Sequence, residues 1–272
     1  MTAVTTSAAS ALREPDAFEI RLLALVVPLA LLAIWAIGSE TGVLAPSVLP
    51  APATVARTLW HFFATGEIWP HILASLRRVA LGMLAGTALG LVLGIAMGLS
   101  RPVRDYLFPT FQALAYVPIL AWLPILMLVL GLGEAIKVIL IAKAVLVPVT
   151  LNAYNGVRDI PIAYVEVGRT QGLTRVQQLR HILLPAAFAP IWAGVRYGHS
   201  RAWTALLIVE LLASSEGLGF LMVEGQQLLQ LDVQLAAIIV LAVIGFALDR
   251  LLALPERWIH GWRRTGFHEV GA

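Results

Sequence analysis

Six long stretches of apolar residues dominate the pattern of hydrophobic and polar positions along this chain. A bilayer core about 30 Å thick is crossed by about 20 apolar helical residues, and most of these stretches approach that length. Because lipid offers no partner for a free amide, each stretch must be helical, and none alternates in polarity as barrel strands do. We therefore predict an all-α polytopic membrane protein with six transmembrane helices. They lie at residues 22–37, 79–99, 107–130, 136–153, 190–213 and 233–254.

The composition agrees with a surface that faces lipid. Of the 272 residues, 59% are hydrophobic and 13% are charged, whereas about a quarter of a soluble domain is charged. The mean hydropathy is +0.85. The net charge of +3 is small and the basic residues are scattered, so we expect no nucleic-acid partner. Without cysteine, the chain has no disulfide, thiolate metal site or cysteine nucleophile.

The distribution of basic residues predicts the orientation of these helices, since Lys and Arg are enriched on the cytoplasmic side. With both termini cytoplasmic, twelve basic residues lie inside and four outside. The inner ones are Arg13, Arg21, Arg101, Arg104, Arg158, Arg169, Arg175, Arg180, Arg250, Arg257, Arg263 and Arg264; the outer ones are Arg57, Arg77, Arg78 and Lys137. We predict a cytoplasmic tail at 1–20, a membrane domain at 21–260 and a cytoplasmic tail at 261–272. The first stretch is interpreted as a retained helix, because acidic residues precede it.

Five glycines recur at intervals of four residues in the second predicted span. They are Gly82, Gly86, Gly90, Gly94 and Gly98. Positions four apart share one face of a helix, and glycine lets a second backbone approach closely. We predict a tight helix–helix seam along this face, either within the subunit or across a dimer.

Two other regions are predicted to depart from straight spanning helices. Residues 54–64 have a helical pattern but are too polar to cross, so this segment either lies on the membrane or packs on the bundle. The third predicted span contains Pro109, Pro118 and Pro124, each of which removes a helical hydrogen bond and favours a kink.

The longest cytoplasmic loop, at residues 154–184, is predicted to contain a helix–glycine–helix element. Asp159 is placed to cap a helix that begins near residue 160, and Gly172 is placed to end it. Thr174 and Gln177 have the spacing of a capping box, which predicts a second helix that runs to Pro185. Such an element on the cytoplasmic face is typical of a docking site.

The same loop carries a specific resemblance. Its residues Glu166, Gly172, Ile182, Leu184 and Pro185 reproduce the spacing of the EAA loop of ABC importer permeases, although Val167 and Gly168 replace that family's two alanines. The resemblance implies a type I importer fold with a coupling helix that contacts an ATPase subunit. The residues expected to serve this contact are Tyr164, Glu166, Arg169, Thr170, Gly172, Ile182, Leu184 and Pro185.

Further blocks between residues 49 and 254 resemble the permeases for nitrate, taurine and aliphatic sulfonates. They include LPAPATV at 49–55, YVPILAWLP at 116–124 and GLGEAIK at 131–137. The resemblance implies a multi-pass protein of the bacterial inner membrane. Its partners would be two ABC ATPase subunits, a second copy of the chain and an extracytoplasmic binding protein. ATP and Mg²⁺ would bind to the ATPase and no cofactor to this chain. The expected solute is a small anion; aromatic acids and uncharged or cationic heterocycles are the alternatives.

Four charged residues fall within the predicted spans, where a charge usually faces a cavity, a partner or a ligand. They are Lys143, Arg196, Arg201 and Glu210. Arg196 is near the inner end and is expected to extend towards the interface. Lys143 or Arg201 either pairs with Glu210 or attracts an anionic solute. Tyr116 and Trp203 line the solute path or belong to the core.

Sequence signatures of catalysis are missing. The chain contains no P-loop, no HExxH motif and no GxSxG motif, and its histidines have no metal-ligand spacing. We therefore predict that it is not an enzyme. An ATP-independent channel is the less favoured alternative, because it would leave the structured cytoplasmic loop without a role.

Overall fold

A computed structural model describes residues 17–45 and 47–256, with side chains from residue 25 onward. The described residues form eleven α-helices and one π-helical turn, without a strand. The helices are α1 Ala17–Glu40, α2 Pro52–Thr65, α3 Ile68–Leu99, α4 Arg101–Tyr116, α5 Ile119–Leu130, α6 Glu134–Arg158, α7 Ile162–Thr170, α8 Arg175–Gln178, α9 Leu184–Ala213, α10 Leu218–Gln227 and α11 Leu231–Leu252. The predicted tail at 261–272, and most of that at 1–20, lie outside the described residues.

The all-α prediction is confirmed, whereas the count of six spans stays a prediction. Among the described residues, Ile68–Leu99 and Leu231–Glu256 are long and apolar enough to cross a membrane. Two bent helix pairs raise this number to four if each pair is one span. These pairs are α4 with α5, bent by 95°, and the helix Arg175–Ala213 with α10, bent by 46°.

The third predicted span is not continuous. The structure interrupts it at Val117 and Pro118, between α4 and α5. Proline has no amide proton and disfavours a helical conformation of the preceding residue, and Val117 is accordingly extended with φ −68° and ψ 118°. Pro109 and Pro124 lie inside helices, so only the middle proline breaks the chain direction.

The helices α3, α6 and α9 form the centre of the bundle, with α6 between the other two. The glycine face of α3 packs directly on α6. A β-carbon added at Gly94 would lie 2.5 Å from the carbonyl oxygen of Thr150, and one at Gly90 would lie 2.9 Å from Cβ of Val149. The predicted seam is therefore confirmed within the subunit, where it shapes the core around Val145, Val149 and Leu206.

A second glycine seam joins α6 to α9. A β-carbon added at Gly194 would lie 2.5 Å from Cβ of Asn152, and one at Gly156 would lie 2.7 Å from the ring of Pro190. The seam was not predicted, because its glycines are divided between two helices and form no long run in either. With both seams in place, α6 contacts its neighbours at close range on two faces.

At the end of the bundle where α3 begins, α10 and α11 pack with α2 and α3. The shared core contains Ile68, Ile72, Leu218 and Val240. The helix predicted at 54–64 is confirmed as α2, and it packs on the bundle: Val55 is buried, and Leu59 and Phe62 contact this core.

Candidate functional site

The segment between α6 and α9, predicted to be cytoplasmic, is a compact helical element built by local capping. Gly172 adopts φ +72°, a left-handed conformation that glycine adopts without steric cost. The amide of Gly172 donates to the carbonyl of Arg169 and that of Leu173 to the carbonyl of Gly168, both at 3.0 Å. This is the Schellman arrangement of a helix C-terminus. Gly172 therefore ends α7, as predicted.

The turn that follows begins the next helix as predicted. The amide of Thr174 donates to Oε1 of Gln177 at 2.9 Å, and the amide of Gln177 donates to Oγ1 of Thr174 at 3.4 Å. These two bonds form a capping box. The chain reversal between α7 and α8 is thus fixed by backbone geometry and by two side chains.

One side of α7 is held against the next segment, and the other sides are free. Gly168 is buried, and a β-carbon there would lie 2.6 Å from Cδ1 of Ile182. The replacement of a family alanine by glycine thus permits close packing of α7 on Ile182. Tyr164 and Val167 are 52% and 57% exposed. The other exposed side chains of α7 include Glu166, Arg169 and Thr170.

Two details of the predicted loop are wrong. Asp159 does not cap α7, because it ends α6 through its amide bond to Asn155 and Pro161 precedes α7 instead. The second helix does not stop at Pro185 either. It passes through a π-helical turn, Leu179–Leu183, into α9, with Pro185 in the first turn, where a missing amide proton is tolerated. Ile182 and Leu184 are half-buried at this junction.

A cluster of charges joins four elements at the other end of the bundle. Arg78 is fully buried, and its guanidinium donates to Glu210 at 2.7 Å. It also donates to Glu134 at 2.8 and 2.7 Å and to the Glu216 side chain at 3.1 Å. Of the two alternatives for Lys143 and Arg201, the one in which either residue pairs with Glu210 is therefore wrong. The ion pair exists, but its cation comes from α3.

The remaining partners of Glu210 complete its hydrogen bonding. Ser75 donates to Oε1 at 2.8 Å, and the amide of Gly219 donates to Oε2 at 2.8 Å. At the rim, Lys137 donates to Ser214 at 3.1 Å. The hydrogen bond from Arg78 is the main reason that the pKa of Glu134 falls to about 2. The hydrogen-bonding capacity of the buried Glu210 carboxylate is filled by these donors. We therefore interpret the cluster as a structural contact that holds the helices together.

Lys143 and Arg201, the two cations predicted near a solute path, lie in different surroundings. Lys143 is half-buried; its ammonium donates to the carbonyl of Val117 at 2.6 Å and lies 5.3 Å from the ring centre of Trp122. Arg201 is exposed on α9 and donates to the hydroxyl of Tyr197 at 3.1 Å. The structure does not bring the two cations together.

The two aromatic residues predicted near a solute path also differ in their surroundings. Trp203 is buried, packs on Gly245 and donates to Nε2 of His199 at 3.0 Å, so it belongs to the core. Tyr116 ends α4 and is 78% exposed.

Arg196, which was expected to extend towards the membrane interface, instead forms ion pairs with two carboxylates. It makes two 3.0 Å bonds with Asp249 and one of 2.6 Å with Glu256. These bonds tie α9 to the C-terminal part of the helix that contains α11. The carboxylates lie 53 and 60 residues further along the chain, so no local spacing indicated them.

The chain is similar in sequence to known transport permeases over most of its length. It is 36% identical to the putative aliphatic sulfonates transport permease SsuC of Bacillus subtilis, over 89% of this chain and 87% of the relative. It is 37% identical to SsuC of Escherichia coli (86% and 89%) and 35% identical to the taurine transport permease TauC of E. coli (85% and 86%).

The fold has a solved counterpart. It is similar to a chain in the inward-facing MetNI methionine ABC transporter, with a TM-score of 0.53 and 17% identity over 71% of this chain and 94% of that one. The model of the family described as "binding-protein-dependent transport system inner membrane component" matches residues 86–261, which include α7 and the segment after it. The chain therefore belongs to this family of ABC importer permeases.

Proposed function

We propose that this chain forms the translocation path of an ATP-driven importer for a sulfonate, either an aliphatic sulfonate or taurine. Three relatives whose names state these solutes match at 35–37% identity over at least 85% of the chain. The observation that carries the proposal is the rigid α7–Gly172–α8 element. Its exposed residues include Tyr164, Glu166, Arg169 and Thr170, which are among those expected to contact an ATPase.

The importer consists of two copies of this chain, two ATPase subunits and an extracytoplasmic binding protein. Both termini are cytoplasmic, so α7 faces the ATPase and the α2–α10 end faces the binding protein. This orientation is supported by the excess of Arg on the α7 side. The exposed apolar residues of α4 and α5, such as Leu128 at 88% exposure, are available to the second copy and to lipid.

The mechanism is alternating access. ATP binding closes the ATPase pair, and the attached α7 helices move with it. Because α8 continues through the π-helical turn into α9, a displacement of α7 reaches the membrane helices without a flexible linker. The path opens outward to receive the solute, and hydrolysis returns it to the inward-facing state. ATP and Mg²⁺ bind to the partner, and this chain contributes conformational change.

The proposal is tested by uptake into proteoliposomes that contain the chain, its ATPase and its binding protein. We expect ATP-dependent accumulation of labelled butanesulfonate or taurine, lost when either partner is omitted. Accumulation of riboflavin or benzoate, with neither sulfonate taken up, would contradict the substrate class. Ion flux through the chain without either partner would contradict the importer and favour a channel.

A further inference from the structure

An apolar cavity of about 380 Å³ lies between α3, α4, α5 and α6. Pockets of roughly 300–1,000 Å³ hold small organic ligands. The apolar side chains of its wall include Leu93, Met97, Phe111, Leu126, Ile139 and Leu146. Lys143 is the only ionisable residue among its lining residues. The cavity is therefore lined by apolar side chains and has one positively charged group in its wall.

The charge of Lys143 is not neutralised within the described part of the chain. None of the carboxylates there forms a salt bridge with it, although Arg78, Lys137 and Arg196 all have acidic partners. Its contact with the carbonyl of Val117 uses one of three ammonium donors. A cation inside a membrane protein is costly unless a cavity, partner or ligand compensates it. Two donors and the positive charge remain available to an anion.

Trp122 supplies a second unused donor. It lines the cavity, and its buried indole N–H has no hydrogen-bond partner among the described residues. A buried donor without an acceptor is unfavourable, and a ligand oxygen would remove that cost. The ammonium of Lys143 lies 5.3 Å from the centre of this ring, so the charge and the indole that carries the second donor are neighbours in the wall of the cavity.

We propose that this cavity binds the sulfonate during transport, with its oxygens on Lys143 and Trp122 and its aliphatic chain along the apolar wall. The inference rests on the proposed function and narrows it. A sulfonate group is ionised throughout the physiological pH range and has three acceptor oxygens. The cavity thus provides a charge, a hydrogen-bond donor and an apolar surface, each matched to one part of an alkanesulfonate.

The same lining makes the site selective between the two solutes of the proposed function. Taurine carries an ammonium group at the other end of its two-carbon chain. No acidic residue lines the cavity, so this ammonium would be buried without a partner beside a second cation. The cavity therefore favours an alkanesulfonate with an uncharged tail over taurine. Nitrate satisfies the donors but leaves the apolar wall without contact.

The site is tested by equilibrium binding of labelled butanesulfonate to the full-length chain in lipid nanodiscs, with Lys143→Gln and Trp122→Phe variants. Glutamine keeps an N–H donor but lacks the charge, so a role of Lys143 that depends only on hydrogen bonding predicts unchanged binding. We expect saturable binding by the wild type, a loss of at least tenfold with Lys143→Gln and a smaller loss with Trp122→Phe. Unlabelled taurine should compete at least tenfold more weakly than butanesulfonate.

Two controls keep the result interpretable. Lys143→Arg retains the charge and should restore most of the binding, and Arg57→Gln removes an exposed cation of α2 and should leave binding unchanged. No saturable binding by the wild type, equal binding by Lys143→Gln, or equal competition by taurine would each overturn the site. ATP-dependent sulfonate uptake that survives Lys143→Gln would overturn this site while leaving the importer intact.

Discussion

At the scale of single residues, the guanidinium of Arg78 connects α3 to Glu134 on α6, Glu210 on α9 and Glu216 before α10. From the sequence alone, Arg78 appears only as a basic residue at the outer start of a span. Its partners are 56, 132 and 138 residues away, and no local pattern identifies such pairs. Acidic residues are rare within membrane spans, so the sequence does indicate that Glu210 needs a partner.

The Arg78 cluster predicts a large effect of a single substitution. Arg78→Met leaves the buried carboxylate of Glu210 without its cation, and loss of one member of a buried pair costs about 3–5 kcal/mol. We expect a clear fall in the melting temperature of the purified protein in detergent. The neighbouring Arg77 is exposed, and Arg77→Met is the matched control with little expected change. Equal melting temperatures of the two variants would refute the stabilising role of Arg78.

Glu134 predicts a pH dependence. Its pKa falls from 4.5 to about 2, chiefly through the hydrogen bond from Arg78. Because this pKa is lower in the folded than in the unfolded chain, the stabilisation is complete above about pH 4.5 and is lost as the pH falls towards 2. Melting temperatures between about pH 6 and pH 3 should therefore fall less steeply for Glu134→Gln than for the wild type. Parallel slopes would show that Glu134 does not contribute.

At the scale of elements, local signals predicted local structure well. The glycine run of α3, the Gly172 turn and the Thr174–Gln177 capping box each depend on residues within a few turns of one another, and each was found. The break at Pro118 was underestimated as a kink. Its size depends on how α5 packs against α6, and a single segment does not contain that information.

The close packing of α3 on α6 predicts that one added methyl group destabilises the protein. In Gly94→Ala the new β-carbon meets the backbone carbonyl of Thr150, which has no freedom to move aside. Overpacking of this kind costs about 1–3 kcal/mol. In Gly245→Ala the nearest atom is 3.6 Å away, an ordinary contact, so this helical glycine is the control. Thermal melting should separate the two variants, and equal stability would contradict the close approach.

The α7 element predicts uncoupling without loss of folding. Glu166→Lys reverses an exposed charge on the docking face, and Gly172→Pro imposes φ near −65° where the turn requires +72°. Both variants should insert normally but abolish substrate-stimulated ATP hydrolysis by the assembled importer. Asp105→Lys, an exposed acid on α4, is the charge-matched control. Wild-type coupling in both α7 variants would refute the docking role.

At the scale of the whole molecule, the arrangement depends on which helices touch. The order α3–α6–α9 places α6 at the centre, with α10 packed on the beginning of α11 at the end of the bundle that also holds the Arg78 cluster. Hydropathy predicted the helical class, and the EAA spacing predicted the family, because both are properties of consecutive residues. The neighbours of each helix are set by complementary surfaces distant in sequence, such as Gly194 against Asn152.

The central claim is that α7 is a cytoplasmic element that contacts an ATPase, and its most direct test is cysteine labelling. The chain has no cysteine, so Glu166→Cys introduces a single site, and Thr65→Cys at the end of α2 provides a matched site on the side predicted to be extracytoplasmic. A membrane-impermeant maleimide should label Thr65→Cys in intact cells but label Glu166→Cys only in inverted vesicles. Co-expressed ATPase should protect Glu166→Cys. Labelling of Glu166→Cys in intact cells would contradict the account.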